Sequence, residues 1–190
     1  MAVMAFLFLQ FFSQILFAAP GTVLFNDNFE RASLGTYWTV NASGGGSAGI
    51  GTYTASSGSR SLYTRWGIVY VTSKSFYLST IAGAQLNFWM RRGSDAFSET
   101  PDSNENLVVE YLNDAGSWVA LETFLGNGTP GEMLNRTYIL PTNALYANFK
   151  FRFRQSGGSG SNFDYWHIDD VVLTETAGAP ALAFPFCDDF

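Results

Sequence analysis

His167 is the only histidine in 190 residues. No second imidazole exists for a Ser-His-Asp triad elsewhere, and no HExxH zinc site can form. It stands in Tyr165-Trp166-His167-Ile168-Asp169-Asp170, beside carboxylates, where a hydrogen-bonded structural histidine is expected rather than a catalytic base. The only cysteine, Cys187, lies three residues from the end, so thiol catalysis and cysteine-based zinc sites have nothing to work with. Glu110 and Glu122 fall on strand-like segments without the dense carboxylate set of sandwich glucanases. No enzymatic activity is expected.

Two other groupings could do chemistry. Asp27, Asn28 and Glu30 lie near the start, and Asp169-Asp170 interrupt an otherwise apolar final strand. If first and last strands are neighbours, Asp27, Glu30, Asp169 and Asp170 offer hard oxygens suited to a structural Ca²⁺. The alternative is pairing with Arg31, Arg60 or Arg65, or plain exposure. The second grouping is Lys150, Arg152 and Arg154, which alternate with three Phe. Joined to Trp89 and Arg91 across neighbouring strands, they would make a cationic-aromatic surface for a glycan, with preference for acidic ones. The alternative is the ordinary polar face of a sheet. The acidic stretch 94–105 reads as a solvated loop, and Asn41, Asn127 and Asn135 open N-glycosylation triplets.

The elements that must position these groups are strands. Residues 148–154 alternate strictly, as do 84–91 and 106–112. Asn113-Asp114-Ala115-Gly116 turns the last of these into 117–121. Residues 60–64, 68–72 and 165–174 read as further strands. The glycine-rich segments 44–51 and 157–160 open no helix and carry no P-loop lysine, so they read as strand connections. About ten strands and no amphipathic helix imply an all-β antiparallel two-sheet sandwich or a barrel.

Composition agrees. Charged residues make up 14% and aromatics 17%, against roughly 25% charged in ordinary domains. The net charge of −6 opposes nucleic-acid binding, which needs a basic footprint. Residues 1–19 are apolar and uncharged and read as a signal peptide, with membrane contact only if it stays uncleaved. The sandwich domain is expected over 21–176, a small-residue linker over 177–183, and the truncated start of a second domain over 184–190. That last expectation rests on Phe184-Pro185-Phe186-Cys187-Asp188-Asp189-Phe190, which echoes Val23-Leu24-Phe25-Asn26-Asp27-Asn28-Phe29. The parent would then be a larger modular chain.

Asn26-Asp27-Asn28-Phe29-Glu30, Leu86-Asn87-Phe88-Trp89-Met90 and His167-Ile168-Asp169-Asp170-Val171 resemble the MAM-like group of jelly-roll sandwiches, related in shape to concanavalin A-like lectins. More narrowly, Phe29-Glu30-Arg31, Gly58-Ser59-Arg60-Ser61-Leu62, Arg91-Arg92-Gly93-Ser94-Asp95 and Tyr165-Trp166-His167-Ile168-Asp169-Asp170 resemble the amino-terminal sandwich of MshQ-type proteins, associated with MSHA pilus biogenesis. The resemblance implies a non-catalytic adhesion or recognition module, secreted or on the surface of a Gram-negative bacterium, with a glycan or surface protein as partner. It also implies a cation site at Asp27, Glu30, Asp169 and Asp170. Unlike the disulfide-bonded eukaryotic relatives, this sandwich contains no cysteine. An accessory domain of a secreted hydrolase and a structural spacer remain alternatives.

Overall fold

The computed structural model describes residues 21–93, 99–160 and 163–177. The expected signal peptide and second-domain start lie outside them, as does the expected linker beyond Ala177. Eleven strands are formed: β1 Val23–Asp27, β2 Trp38–Ser43, β3 Ser47–Gly51, β4 Ser61–Arg65, β5 Ile68–Ser73, β6 Gly83–Arg92, β7 Leu107–Leu112, β8 Trp118–Phe124, β9 Met133–Ile139, β10 Phe151–Gln155 and β11 Trp166–Thr176. A short 3-10 turn at Thr142–Ala144 is the sole helical element among the described residues, none of which forms a helix able to cross a membrane.

The strands form two antiparallel sheets. One runs β3-β4-β11-β6-β9 with β1 also paired to β11, and the other runs β2-β5-β10-β7-β8. The expected all-β two-sheet sandwich is therefore present, with its first and last strands adjacent. Alternation decides which side chains meet in the middle. Phe151 and Phe153 of β10 are fully buried, as are Leu86 and Met90 of β6 and Val69 and Val71 of β5. Their even-numbered neighbours on β10, Arg152 and Arg154, point away from the core. Aromatic rings dominate the filling: Phe25, Trp38, Phe76, Phe88, Phe151 and Phe153 contact one another edge-on, tilted or, for Phe76 and Phe151, stacked, with centroids 5.2 to 6.1 Å apart in the closest pairs. With no cysteine available, this ring cluster is the staple of the fold.

Three strands depart from expectation, the first being β2, which is not among the expected strands and pairs with β5 along six residues. Residues 47–51, expected as connection, form β3, an edge strand with Gly49 opposite Tyr63 and Gly51 opposite Ser61. Its glycines weaken any strand signal, yet pairing with β4 holds them extended. Strand β9 was not expected at all. It pairs with β6 along seven residues and is half-exposed throughout, so its pattern lacks a strong apolar face.

Candidate functional site

The four expected calcium ligands do not form one cluster. Asp27 closes β1 with its carboxylate buried, and both oxygens are taken. Arg31 donates to each of them, Trp38 Nε1 donates to Oδ2 at 2.7 Å, and the Phe29 amide donates to Oδ1 at 2.9 Å. Burial raises the Asp27 pKa, but these donors outweigh it and hold the carboxyl below its usual range. The alternative of pairing with Arg31 is the one realised, because one further turn of chain brings position 31 back over position 27.

Glu30, Asp169 and Asp170 share a different feature, the serine-rich turn 56–60. Glu30 Oε1 accepts the amides of Ser59 at 2.8 Å and Arg60 at 2.6 Å, while Oε2 accepts the Ser59 hydroxyl. The Ser59 amide and its companions lower the Glu30 pKa. Asp169 is fully buried and accepts the amides of Ser56, Ser57 and Asp170. Burial pushes its pKa up to about 6 despite those bonds. Asp170 has a left-handed backbone, φ 48°, where the register of β11 on β6 slips between Asp169 and Val172, and its Oδ1 accepts the Ser57 hydroxyl. The bulge re-aims Asp170 away from the sheet. Glu30 and Asp170 thus hold the same turn at Ser59 and Ser57.

Among the described residues no three His, Cys, Asp or Glu side chains converge as a metal-holding group. A calcium ion would therefore depend on backbone carbonyls of the turn as well as on carboxylates. Glu30 and Asp170 fit that role, being hard oxygens on one turn. Asp27 does not, since its carboxylate is already ion-paired with Arg31, whereas Glu30 accepts only neutral amide and hydroxyl donors.

The expected cationic-aromatic surface is also rearranged. Trp89 and Arg91 belong to β6, in the sheet opposite to β10, so they cannot join Lys150, Arg152 and Arg154. Trp89 is 5% exposed and lies opposite Asp169. The 52–60 segment lies over this face, tied down by Asp169 and by Arg91 Nη1 donating to Thr54 Oγ1 at 3.0 Å. Lys150 precedes β10, and its carbonyl accepts the Leu112 amide.

Arg152 and Arg154 do build a surface, with other partners. Arg152 is opposite Thr72 on one side and Glu110 on the other, while Arg154 is opposite Tyr70 and Val108. Arg152 Nε donates to Glu110 Oε2 at 2.6 Å, and Arg154 donates to both oxygens of the same carboxylate at 3.1 and 3.2 Å. Burial raises the Glu110 pKa, but the two arginines more than offset it and the carboxyl is held low. The Arg152 guanidinium lies 4.0 Å from the Trp118 ring centroid and 4.9 Å from that of Tyr70. Two rings, a guanidinium between them and a shared carboxylate make a pre-ordered polar-aromatic face. Glu110, Tyr70 and Trp118 were not anticipated. The signal was a glutamate inside an apolar strand, which requires a cation on the strand beside it.

His167 is buried between the rings of Tyr165, stacked at 5.9 Å, and Tyr53 at 6.1 Å. The acidic stretch is not simply solvated either. Glu105 is 8% exposed, and desolvation, with Asp164 beside it, pushes its pKa up to about 7.

Comparison with known proteins completes the description. No curated protein sequence matches the chain. Among solved structures, a cleaved adhesin domain of the Lys-gingipain of Porphyromonas gingivalis is similar, with TM-score 0.61, 16% identity, and coverage of 82% of this chain and 99% of that one. The CBM22-1 xylan-binding domain of Paenibacillus barcinonensis Xyn10C is similar at TM-score 0.55 and 12% identity, covering 85% and 99%. A GH51 α-L-arabinofuranosidase matches at TM-score 0.54 and 15% identity over 81% of this chain but 26% of its own. The structural similarity, at these low identities, shows a shared jelly-roll sandwich fold alone. The sequence itself matches the Reelin subrepeat B model over residues 45–174. The chain belongs to the Reelin subrepeat B family.

Proposed function

We infer that the protein is a non-catalytic, extracellular recognition module that binds a glycan on the outer face of the β2-β5-β10-β7-β8 sheet. The observation that carries this reading is the Arg152 guanidinium 4.0 Å from the Trp118 ring centroid and 4.9 Å from that of Tyr70, while Glu110 fixes both Arg152 and Arg154. A sugar presents an apolar C–H face to rings and hydroxyls to charged groups, and this surface supplies both without needing to reorder. Glu110 offsets one of the two arginine charges and already occupies donors of both, so an acidic sugar would meet a carboxylate in place and the face is assigned to neutral sugars. The adhesin and xylan-binding domains that share the fold support a binding role.

The narrower form of the reading places the module on a Gram-negative surface, in a pilus-associated chain of the MshQ type. It is exported by residues 1–19 and carries one structural Ca²⁺ on Glu30, Asp170 and carbonyls of the 56–60 turn. That ion would clamp the turn to β11 and take no part in binding. A second reading, an accessory domain of a secreted hydrolase, is favoured by the arabinofuranosidase match, in which this fold corresponds to about a quarter of a larger enzyme chain. Screening the purified chain against neutral and acidic glycans tests the function. Binding of neutral sugars that is lost in Trp118→Ala supports it, and absence of any glycan ligand would favour a spacer.

A further inference from the structure

The opposite sheet carries a second aromatic platform, unconnected with the face described above. On its outer side Tyr63 of β4 lies opposite His167, and Tyr53 and Tyr165 close around it. Tyr53 meets Tyr63 at 5.5 Å and Tyr165 at 5.3 Å between ring centroids. Glycines make room for these rings on β3. A Cβ at Gly49 would stand 2.9 Å from the Tyr63 hydroxyl, and one at Gly51 would stand 2.6 Å from the Tyr53 ring.

Arg65 is set into this platform. Its guanidinium lies 3.5 Å from the centroid of a Trp66 ring, 4.7 Å from Tyr63 and 5.4 Å from Tyr165. Nη1 donates to the Tyr165 hydroxyl at 2.7 Å and the Tyr53 hydroxyl at 3.3 Å. Arg31, Arg92, Arg136, Arg152 and Arg154 each pair with a carboxylate. Among the described residues Arg65 pairs with none, although the chain holds 16 acidic residues against 10 basic ones. Phenols orient a guanidinium without neutralising it, so its full charge is kept.

Trp66 adds an independent observation. It has φ 73°, left-handed backbone that a bulky residue disfavours, and its indole nitrogen is buried without a hydrogen-bond partner. Glycine or asparagine would hold this bend better. The tryptophan stands at a structural disadvantage and contributes a ring beside a guanidinium that has no ion pair among the described residues.

We propose that Arg65, Trp66 and Tyr63, with the buried Tyr165 orienting Arg65, form a second binding site, for a carboxylate-bearing sugar residue such as a hexuronate. The sugar's C–H face stacks on Tyr63 and Trp66, and its carboxylate pairs with Arg65 Nη2, a donor that the phenols leave free. This site is separate from the Trp118 face and opposite to it in preference. Calorimetric titration of the full chain at low salt with tri-galacturonate, and with neutral galactotriose as control, is the test. The acidic trimer is expected to bind at least tenfold more tightly than the neutral one at this site. Arg65→Gln abolishes the preference, and Arg65→Lys, which keeps the charge but not the phenol-oriented guanidinium, retains part of it. Trp66→Gly weakens acidic binding at least tenfold while its melting temperature equals or exceeds the parent's, which separates loss of a ligand from loss of fold. Trp118→Ala leaves acidic binding intact. Failure of tri-galacturonate to bind, undiminished binding in Arg65→Gln, or loss of acidic binding in Trp118→Ala would overturn the proposal. The first two outcomes leave the glycan reading of the Trp118 face standing.

Discussion

Glu110 and Arg152 stand directly opposite one another on β7 and β10, joined by a 2.6 Å bond on the outer face of the sheet. Arg154 reaches the same carboxylate from two residues along. One buried carboxylate thus orders two guanidinium groups, and through Arg152 it orders Trp118 and Tyr70. Glu110→Gln removes the charge that both arginines share. A stability loss of about 1–3 kcal/mol is expected in chemical denaturation, since hydrogen bonds to charged groups are worth about that much. Trp118→Ala, by contrast, should cost little stability, because an exposed cation–π contact contributes about 0.5–1 kcal/mol.

The pH dependence of stability has two limbs of opposite sign. Asp27 and Glu110 have folded pKa values below their unfolded ones, so their contribution is present above the unfolded pKa and is lost as pH falls through the folded value. Asp169, at about 6, and Glu105, at about 7, are raised. The native state then binds more protons, so their contribution is full below the unfolded pKa and is lost as pH rises toward 7. Melting temperature should therefore increase as pH is lowered from about 7.5 to about 5 and fall again below about 4. Glu105→Gln should flatten the neutral limb and leave the acid limb unchanged.

How much of this was legible in the residues differs between fold and site. Strict alternation around Phe151, Phe153 and Leu86 announces half-buried strands, and the adjacency of β1 and β11 follows from sandwich topology. The edges are harder, because β3 is held by pairing with β4 against its own glycine content, and β9 carries Arg136 between Leu134 and Tyr138 on its inner face. The site was legible in type only. Arg152 and Arg154 display their parity, yet alternation along one strand does not reveal which strand lies beside it. Trp89 was therefore placed with them although β6 lies in the other sheet. Asp27 was read as a metal ligand because its bonds to Arg31 and Trp38 depend on how the chain turns after β1.

The 56–60 turn gives a sharp local test. Gly58 has φ 63°, and a Cβ there would lie 2.4 Å from the Glu30 carboxyl carbon. Gly58→Ala should lose about 2 kcal/mol, because it meets both backbone strain and a collision. Glu30→Gln should lose less.

Calcium is tested by thermal melts with chelator and with added Ca²⁺. An ion bound only to the native state raises its stability by mass action. A melting temperature raised by Ca²⁺ in the parent and in Asp27→Asn, but not in Asp170→Asn, is expected. Indifference of the parent to both additions would remove the ion from the account.

The claim that the Trp118 face binds a neutral glycan is tested most directly by titrating the full chain, and its Trp118→Ala variant, with neutral β-linked oligosaccharides including xylo-oligosaccharides. Saturable binding is predicted for the parent, with a loss of at least tenfold in Trp118→Ala at unchanged melting temperature. Equal binding by the two proteins, or none by the parent, would contradict it.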